Sequence, residues 1–225
     1  MAREARGITQ AAVTTYGYGV AHMNGALVPD ATALGHTADA LQTAERSGDD
    51  VSLAWARVAH GIMLVRLHDG DKGAGMDLLA RARQQAFRHG DLLAVTMADI
   101  QIAECKAQNG DTGAAIEISR ATVEHLFGSG EVMFRGPAIT SLAESLVRRG
   151  TKPDLQEAQA VIDKLAACPT DPGFVLYEPP LLRLRALMAR AHGDKAAYRD
   201  YRDRYRTMAT SLGYEGHIAW AEAMQ

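Results

Sequence analysis

Histidines, cysteines and serines are the side chains in this sequence whose chemistry could support catalysis or hold a metal ion. The chain contains eight histidines, but no pair has the HExxH or CxxC type of spacing that marks a zinc site. Ser129 lies in the stretch FGSGE, where the first glycine of a GxSxG nucleophile elbow is misplaced and no strand precedes the serine. The sequence therefore predicts no catalytic residue, no metal ligand and no bound cofactor.

Nucleotide chemistry would need a glycine-rich phosphate loop that ends in Lys followed by Ser or Thr. The nearest glycine-rich stretch, Asp69–Gly75, reads DGDKGAG and lacks both the spacing and the hydroxyl residue, so we predict a turn between two helices there. The two cysteines, Cys105 and Cys168, lie in alanine-rich helical contexts. They make no disulfide framework, and we expect small buried side chains in a reducing compartment.

Composition and charge narrow the function classes further. Lys and Arg total 24 and Asp and Glu total 27, which gives a net charge of −3 and excludes a general nucleic-acid binder. Hydrophobic residues make up 47% and charged residues 23% of the chain, as in globular proteins and unlike disordered ones. Residues Gly7–Pro29 carry no charge, but they include four glycines and form a poor membrane span. The N-terminus has no signal-peptide pattern, so we expect a cytoplasmic protein.

Helices are the elements that would have to position any functional side chain. The chain contains 40 alanines and seven prolines, and alanine loses no side-chain entropy in a helix. Apolar residues recur at i, i+3, i+4 and i+7, for example from Val51 to Val65 and from Leu155 to Leu165, as on a helix with one buried face. We predict helices at residues 8–24, 30–46, 50–68, 72–88, 91–108, 112–127, 131–149, 153–166, 179–192, 194–212 and 216–224.

A glycine followed by aspartate recurs between these helices. We expect the glycine to end one helix in the left-handed conformation and the aspartate to cap the next helix. The glycines at positions 70, 110, 150 and 193 are 40, 40 and 43 residues apart, and Thr151 replaces the aspartate in one copy. Pro137 and Pro180 each lie 13 residues before a repeat glycine, so the first helix of the last two repeats should start late or kink.

Antiparallel helix pairs with a period of about 40 residues resemble tetratricopeptide-like repeats, although that repeat is shorter and places its proline elsewhere. This pattern predicts an all-α fold, a right-handed α-solenoid of tetratricopeptide-like helical hairpins, in a single domain over residues 1–225. We expect residues 1–29 to form a partial N-terminal hairpin and residues 213–225 to form a C-terminal cap, since repeat arrays need atypical terminal units to cover their cores.

The C-terminal segment Leu181–Met224 reads LLRLRALMARAHGDKAAYRDYRDRYRTMATSLGYEGHIAWAEAM. It resembles the C-terminal tail of large actinobacterial, notably mycobacterial, regulators, and SLGYEGHIAWAEAM is the most characteristic part. Those regulators carry an adenylate/guanylate cyclase catalytic domain, an ATPase domain and then a helical-repeat region. The resemblance implies that this chain is a fragment of a larger multidomain protein whose catalysis lies upstream. Some relatives end in a LuxR-type DNA-binding domain, and this sequence contains no such helix-turn-helix.

The first helix of each pair usually lines the concave surface of a helical-repeat array. In this chain those helices are the ones predicted at 50–68, 91–108, 131–149 and 179–192. Their polar residues outside the apolar stripes are candidates for a groove that binds a peptide, a partner helix or a small effector. The candidate groove residues are Arg57, His60, Asp99, Glu104, Arg135 and Glu144.

The helix predicted at 194–212 carries a second candidate surface. Its tyrosines follow the a/d spacing of a coiled-coil seam, and residues 181–206 carry a local net charge of +5. Packing under the terminal helix explains this pattern, and so does a contact surface for a partner or a neighbouring domain, because aromatic residues and arginine anchor interfaces. The residues of this C-terminal aromatic and arginine face are Tyr198, Tyr201, Arg202 and Tyr205.

These features predict a non-catalytic protein-interaction and regulatory module of a nucleotide cyclase–ATPase signalling protein. Its partner would be a protein, a peptide or upstream domains of the same polypeptide, with no role for nucleic acid or membrane. A second hypothesis is a solenoid that senses a small-molecule effector in an internal pocket. A third is a homo-oligomerisation module of a LuxR-type ATPase regulator, in which Gly7–Pro29 or the tyrosine seam pairs with a second copy as a homodimer.

Overall fold

The computed structural model describes the backbone of residues 2–224 and the side chains of residues 13–224. Helices joined by short connections make up this range, and no strand occurs within it. The helices are α1 (Ala2–Met23), α2 (Ala31–Ser47), α3 (Asp50–Arg66), α4 (Lys72–Arg88), α5 (Leu92–Gln108), α6 (Thr112–Ser129), α7 (Arg135–Arg149), α8 (Lys152–Ala166), α9 (Glu178–Ala191), α10 (Lys195–Leu212) and α11 (Glu215–Glu222).

The helix boundaries follow the sequence prediction closely, which confirms the all-α fold class. Two starts differ by more than two residues, because α1 begins at Ala2 and α7 begins at Arg135. The late start of α7 places Pro137 in its first turn, and Pro180 lies in the first turn of α9 in the same way. A proline there breaks no intrahelical hydrogen bond.

Capping side chains begin the helices that follow the recurring glycines. The Asp49 carboxylate accepts a hydrogen bond from the backbone N–H of Ser52 at 2.8 Å, which satisfies one of the unpaired N–H groups of the first turn. At the start of α8, Thr151 and Asp154 form a reciprocal capping box. The predicted caps therefore form at both the aspartate and the threonine versions of the junction.

The glycine before each cap was predicted to end the previous helix in the left-handed conformation, and the structure confirms this with one exception, Gly70. Gly70 does not adopt the left-handed conformation. A β-carbon at this position would overlap the carbonyl oxygen of Leu64, so the chain needs glycine there for close backbone approach. The glycines that end helices as predicted, with φ between 67° and 88°, are Gly48, Gly90, Gly110, Gly150 and Gly193.

The chain divides into two compact units. Unit 1 comprises Met1–Met23 and Val28–Cys105, and it contains α1 to α4 with most of α5. Helix α3 is central to this unit and packs against α1, α2 and α4. It is buried on several sides, with Ala56, Val58 and Ile62 all inaccessible to solvent, as expected for a helix that is apolar nearly all round.

Unit 2 comprises Asn24–Leu27 and Lys106–Gln225. Helix α7 is its central element and packs against α6, α8 and α9, while α10 packs between α9 and α11. The backbone of Gly25 also contacts α11, because its carbonyl oxygen accepts a hydrogen bond from the N–H of His217 at 3.1 Å. The core beneath α11 contains Leu182, Ala186, Ala189, Tyr198, Tyr205, Ala221 and Met224.

Helix α11 covers apolar residues of α9 and α10, which is what a C-terminal cap at residues 213–225 would do. The single domain over 1–225 and the partial hairpin at 1–29 stay predictions, and the side chains of residues 1–12 lie outside the described part. Among the described residues, no helix has the length and apolar character needed to cross a membrane.

Candidate functional site

The six predicted groove residues belong to different units. The four residues on α3 and α5 lie in unit 1, whereas Arg135 and Glu144 lie on α7 in unit 2. Four of the six make a side-chain hydrogen bond to a neighbouring helix of the same unit, and Glu144 forms an ion pair with an arginine of α9. Arg135 is the exception, because its contacts reach a sulfur, a carbonyl and an aromatic ring.

On α3, Arg57 and His60 contact the helices on either side. The Nη1 of Arg57 donates to Oε1 of the buried Gln85 of α4 at 2.7 Å. The Nδ1 of His60 shares a 3.1 Å hydrogen bond with Oγ1 of Thr37 on α2. Burial lowers the pKa of His60, because the charged imidazolium would lose hydration. Both side chains therefore join α3 to its neighbours, and His60 is held in its neutral form.

On α5, the two carboxylates predicted to line the groove, Asp99 and Glu104, are each paired with an arginine of another helix. Arg83 donates to Asp99, whose side chain is 13% exposed, and burial raises the pKa of Asp99 while Arg83 opposes that shift. Arg66 of α3 donates Nη2 to Oε2 of Glu104 at 2.8 Å and Nε to Oε1 of Gln101 at 2.6 Å. Each carboxylate therefore joins α5 to another helix through an arginine, and neither presents an unpaired charge to a ligand.

On α7, Glu144 forms part of a contact chain that joins three helices of unit 2. Its Oε1 forms an ion pair with Nη2 of Arg183 on α9, at a distance of 2.7 Å. The Arg183 guanidinium also lies 5.0 Å from the centre of the Trp220 ring on α11, within the range of a cation–π contact. This arrangement fixes the terminal helix over the core.

The guanidinium of Arg135 lies among neutral groups at the carboxyl end of α6. It is 4.6 Å from the centre of the Phe127 ring, and its Nη1 and Nη2 make long contacts to Sγ of Cys168 (3.8 Å) and to the carbonyl oxygen of Leu126 (3.5 Å). Its Nε is buried and has no hydrogen-bond partner among the described residues. The Nζ of Lys164 lies 4.0 Å from the same Phe127 ring.

Tyr177 completes the surroundings of Arg135. Its hydroxyl donates to the carbonyl oxygen of Val132 at 2.7 Å. Burial raises the pKa of Tyr177, and the nearby Arg135 charge opposes the shift, as expected for a cation beside a phenol. Of these residues, only Arg135 was predicted from the sequence. Phe127 and Lys164 lie on α6 and α8, Tyr177 directly precedes α9, and only the packing of these helices on α7 brings them to Arg135.

The C-terminal aromatic and arginine face is divided by burial. Tyr198 and Tyr205 are buried and belong to the core beneath α11, as in the alternative that explained the seam by packing under the terminal helix. Tyr201 and Arg202 are half-buried and lie at the edge of that core. Of the four predicted residues, only these two are accessible to a partner.

His217 was not among the residues predicted from the sequence, and it is buried against Tyr205. The Tyr205 hydroxyl oxygen lies 2.7 Å from Nδ1 of His217, and the His217 and Trp220 rings meet edge to face at 5.0 Å between centres. The only sequence signal was the position of His217 in the short last helix, three residues before Trp220. This pair is a structural element of the core.

Metal binding and thiol chemistry were both considered for the described side chains. No group of three or more His, Cys, Asp or Glu residues is placed as a metal site in the part of the chain that the structure describes. Burial raises the pKa of Cys105 to about 11, so the thiolate that would act as a nucleophile is disfavoured.

Two candidate binding surfaces therefore emerge among the described residues, both within unit 2. One is the Arg135 cluster, which consists of Phe127, Arg135 and Lys164, and the other is the accessible part of α10 around Tyr201 and Arg202. Their chemistry is recognition by cations and aromatic rings rather than bond making. Protein-family models, curated proteins and solved structures were each compared with the chain, and none of them matches it.

Proposed function

We propose that this chain is a non-catalytic protein-interaction and regulatory module. Its consecutive helix packing fits a right-handed solenoid of tetratricopeptide-like hairpins, with a period of about 40 residues taken from the spacing of Gly70, Gly110 and Gly150. Two observations support the non-catalytic part of the proposal. The carboxylates predicted to line the groove are paired with arginines, and the thiol of Cys105 is buried.

The single observation that carries the proposal is that the arginines on the charged face of α10 form ion pairs with aspartates of the same helix. Arg202 donates to Asp203 at 2.8 Å, Arg204 donates to Asp200 at 3.2 Å, and the Arg204 guanidinium lies 5.5 Å from the Tyr201 ring centre. All of these partners belong to α10 itself. The ion pairs around Tyr201 and Arg202 therefore form within α10, while the Tyr201 ring also packs at the edge of the core beneath α11.

Such a face suits an acidic protein partner. Tyrosine and arginine are the residues that most often anchor protein interfaces, and exposed ion pairs within one helix cost little free energy to rearrange. The net charge of +5 over residues 181–206 would favour association with a surface of opposite sign.

The resemblance of Leu181–Met224 to the tails of cyclase–ATPase regulators suggests the setting. In that setting the module would act in the cytoplasm, and its partner would be another protein or the upstream catalytic domains of the same polypeptide. Regulation would require that the partner bind two states of the regulator with different affinity.

The test is a comparative affinity purification with the whole chain. Wild type, the double charge reversal Arg202→Glu with Arg204→Glu, and the control Arg88→Glu, an exposed arginine on α4 of unit 1, are used as bait in extracts of the source organism. We expect a protein that wild type and the control enrich equally and that the double variant enriches at least about tenfold less, because charge reversal at an interface changes affinity by more than 1.4 kcal/mol.

Two outcomes would contradict the proposal. One is an identical set of bound proteins for all three baits. The other is turnover of ATP or GTP by the purified chain, to either the nucleoside diphosphate or the cyclic nucleotide, at a rate that follows the protein through its last purification step.

A second candidate function, pairing with another copy, is favoured by exposed apolar side chains at one end of unit 1. Tyr16, within the uncharged segment Gly7–Pro29, is 41% exposed and packs edge to face on Trp55 at 5.6 Å between ring centres. Leu92 at the start of α5 is 46% exposed. Sedimentation velocity at increasing protein concentration distinguishes this function. A mass that rises above 24.2 kDa in wild type but not in Leu92→Lys would establish it.

A further inference from the structure

One end of unit 2 brings together side chains from three helices that follow each other in the chain. Phe127 lies in the last turn of α6, Arg135 is the first residue of α7, and Lys164 lies in the last turn of α8. Because α6, α7 and α8 pack in succession, these ends meet, and both cations stack on the one Phe127 ring. None of these contacts belongs to the α10 face.

This cluster differs from three of the partly buried arginine sites of unit 2 in its lack of a carboxylate partner. Arg120 donates Nε and Nη2 to the two carboxylate oxygens of Glu157 at 2.8 and 3.0 Å, and Arg149 and Arg183 pair with acidic side chains in the same way. Arg135 and Lys164 form no ion pair with any described residue. The guanidinium presents five N–H donors, and the acceptors that the described residues offer them are neutral. They are Sγ of Cys168 and the carbonyl oxygen of Leu126, both at long distance, and the hydroxyl of Tyr177.

The nearest acidic residue along the chain does not fill this role. Glu131 precedes α7, and its carboxylate accepts a hydrogen bond from the backbone N–H of Met133. It forms no ion pair with Arg135 or Lys164 among the described contacts. A partly buried guanidinium without a paired counter-charge is unfavourable, and no carboxylate among the described residues forms an ion pair with Arg135.

We propose that Arg135, Lys164 and Phe127 form a binding site for a carboxylate group. A carboxylate matches the planar fork of arginine through paired, charge-assisted hydrogen bonds, and the exposed ammonium of Lys164 adds a second charge beside it. The Phe127 ring holds both cations and offers an apolar wall. Val132, which is 44% exposed, provides an apolar neighbour for the carbon chain of the ligand.

The carboxylate has two possible sources, a free organic acid or an acidic side chain of a peptide, and the test separates them. The whole chain, labelled with ¹⁵N, is titrated by NMR with succinate. A second titration uses an end-blocked peptide of alternating leucine and glutamate, with its leucine–glutamine counterpart. Inorganic phosphate and sodium chloride at matched ionic strength complete the set.

We expect saturable shifts of backbone amides in residues 126–135 and 164–177, caused by succinate or by the glutamate peptide. The tighter of the two identifies the source of the carboxylate. Arg135→Gln should weaken that binding at least about tenfold, as loss of a charge-assisted pair does. Lys164→Gln should weaken it by a smaller factor, and because Lys164 is exposed this variant keeps the test valid if Arg135→Gln unfolds.

Matched controls distinguish the site from general attraction to positive charge. Arg120→Gln removes an arginine that already has a carboxylate partner, and Lys152→Gln removes an exposed lysine at the other end of α8. Both should bind as wild type does. Equal shifts with chloride, equal binding of the glutamine peptide, tighter binding of phosphate, or equal loss in the control variants would each overturn the proposal. None of these outcomes depends on the α10 face, so the two proposals succeed or fail separately.

Discussion

Tyr205 and His217 form a polar pair inside the apolar core of unit 2. The Tyr205 side chain is fully buried, and its hydroxyl lies 2.7 Å from Nδ1 of His217. Burial raises the pKa of Tyr205 well above its ordinary value, because the phenolate would lose its hydration. Burial therefore favours the protonated hydroxyl, which is the form that can share a hydrogen bond with the His217 ring.

Replacing Tyr205 with phenylalanine should lower the free energy of unfolding by roughly 1–3 kcal/mol, because a buried imidazole nitrogen loses its hydroxyl partner. Urea unfolding followed by circular dichroism measures the change. Tyr201→Phe is the matched control on the same helix, since the Tyr201 hydroxyl makes no hydrogen bond with a described residue, and it should change stability by less than about 0.5 kcal/mol. Equal losses in the two variants would contradict the role given to the buried pair.

His60 should make the stability of unit 1 depend on pH. Burial lowers its pKa below the ordinary value of 6.5, so below that pH the unfolded chain binds a proton more readily than the folded chain. The free energy of unfolding therefore falls as the pH drops below about 6.5 and continues to fall until the folded imidazole is protonated as well.

His60→Gln should remove part of this acid sensitivity, and urea unfolding between about pH 7 and pH 5 measures it. His68→Gln is the control, because the His68 side chain is 99% exposed and has no burial to lose. If both variants keep the wild-type dependence on pH, burial of His60 is not its source.

Helices α3 and α4 approach each other closely because small residues face each other where they cross. A β-carbon at Gly61 would lie 2.8 Å from Cγ of Leu79 and 3.1 Å from the carbonyl oxygen of Gly75. Such distances are too short for ordinary packing, so an added methyl group must push the two helices apart. The backbone conformation of Gly61 itself is ordinary for a helix.

Gly61→Ala should therefore destabilise the protein by about 1–3 kcal/mol through overpacking, although alanine is the better helix former. Thermal unfolding with a parallel urea titration gives the value. Gly35→Ala in α2 is the control, because no atom lies within 4 Å of the added β-carbon, and it should leave stability unchanged or raise it by up to about 1 kcal/mol. A gain in both variants would refute the close crossing.

At the scale of the whole molecule, the contacts are mostly between helices that are close in sequence. Within unit 1, α2 packs on α3 and α3 on α4, and within unit 2 the same succession runs through α6, α7 and α8 and again through α9, α10 and α11. Local contacts need little loop closure before they form, so chains of this kind fold rapidly.

We expect the main phase of refolding from guanidinium to be complete on the order of milliseconds to tens of milliseconds, as in other helical proteins with local contacts. Stopped-flow circular dichroism at two protein concentrations measures it, and the rate should be the same at both if the chain folds without association. A main phase slower than about one second would be inconsistent with this local pattern of contacts.

The helices and their junctions were predictable because their signals are local. Asp49 and Thr151 cap the helices that follow them within three residues, and glycines such as Gly150 end the helix before. Apolar periodicity marked the buried Val58, Ile62 and Val65 of α3, but Val51 at the start of the same stripe is 44% exposed. The prediction that Gly70 adopts the left-handed conformation was wrong. Glycine is needed there because a β-carbon would overlap the carbonyl oxygen of Leu64, which lies six residues earlier in the chain.

Only the tertiary structure decided what each polar side chain meets. Arg120 lies in the middle of α6 and pairs with both carboxylate oxygens of Glu157, whereas Arg135 begins α7 and stacks on Phe127 beside Lys164. The residues next to each arginine in the chain do not indicate these partners, because the partners lie on other helices. The sequence by itself determined the all-α fold and the order of helices, whereas burial and pairing depend on how those helices pack.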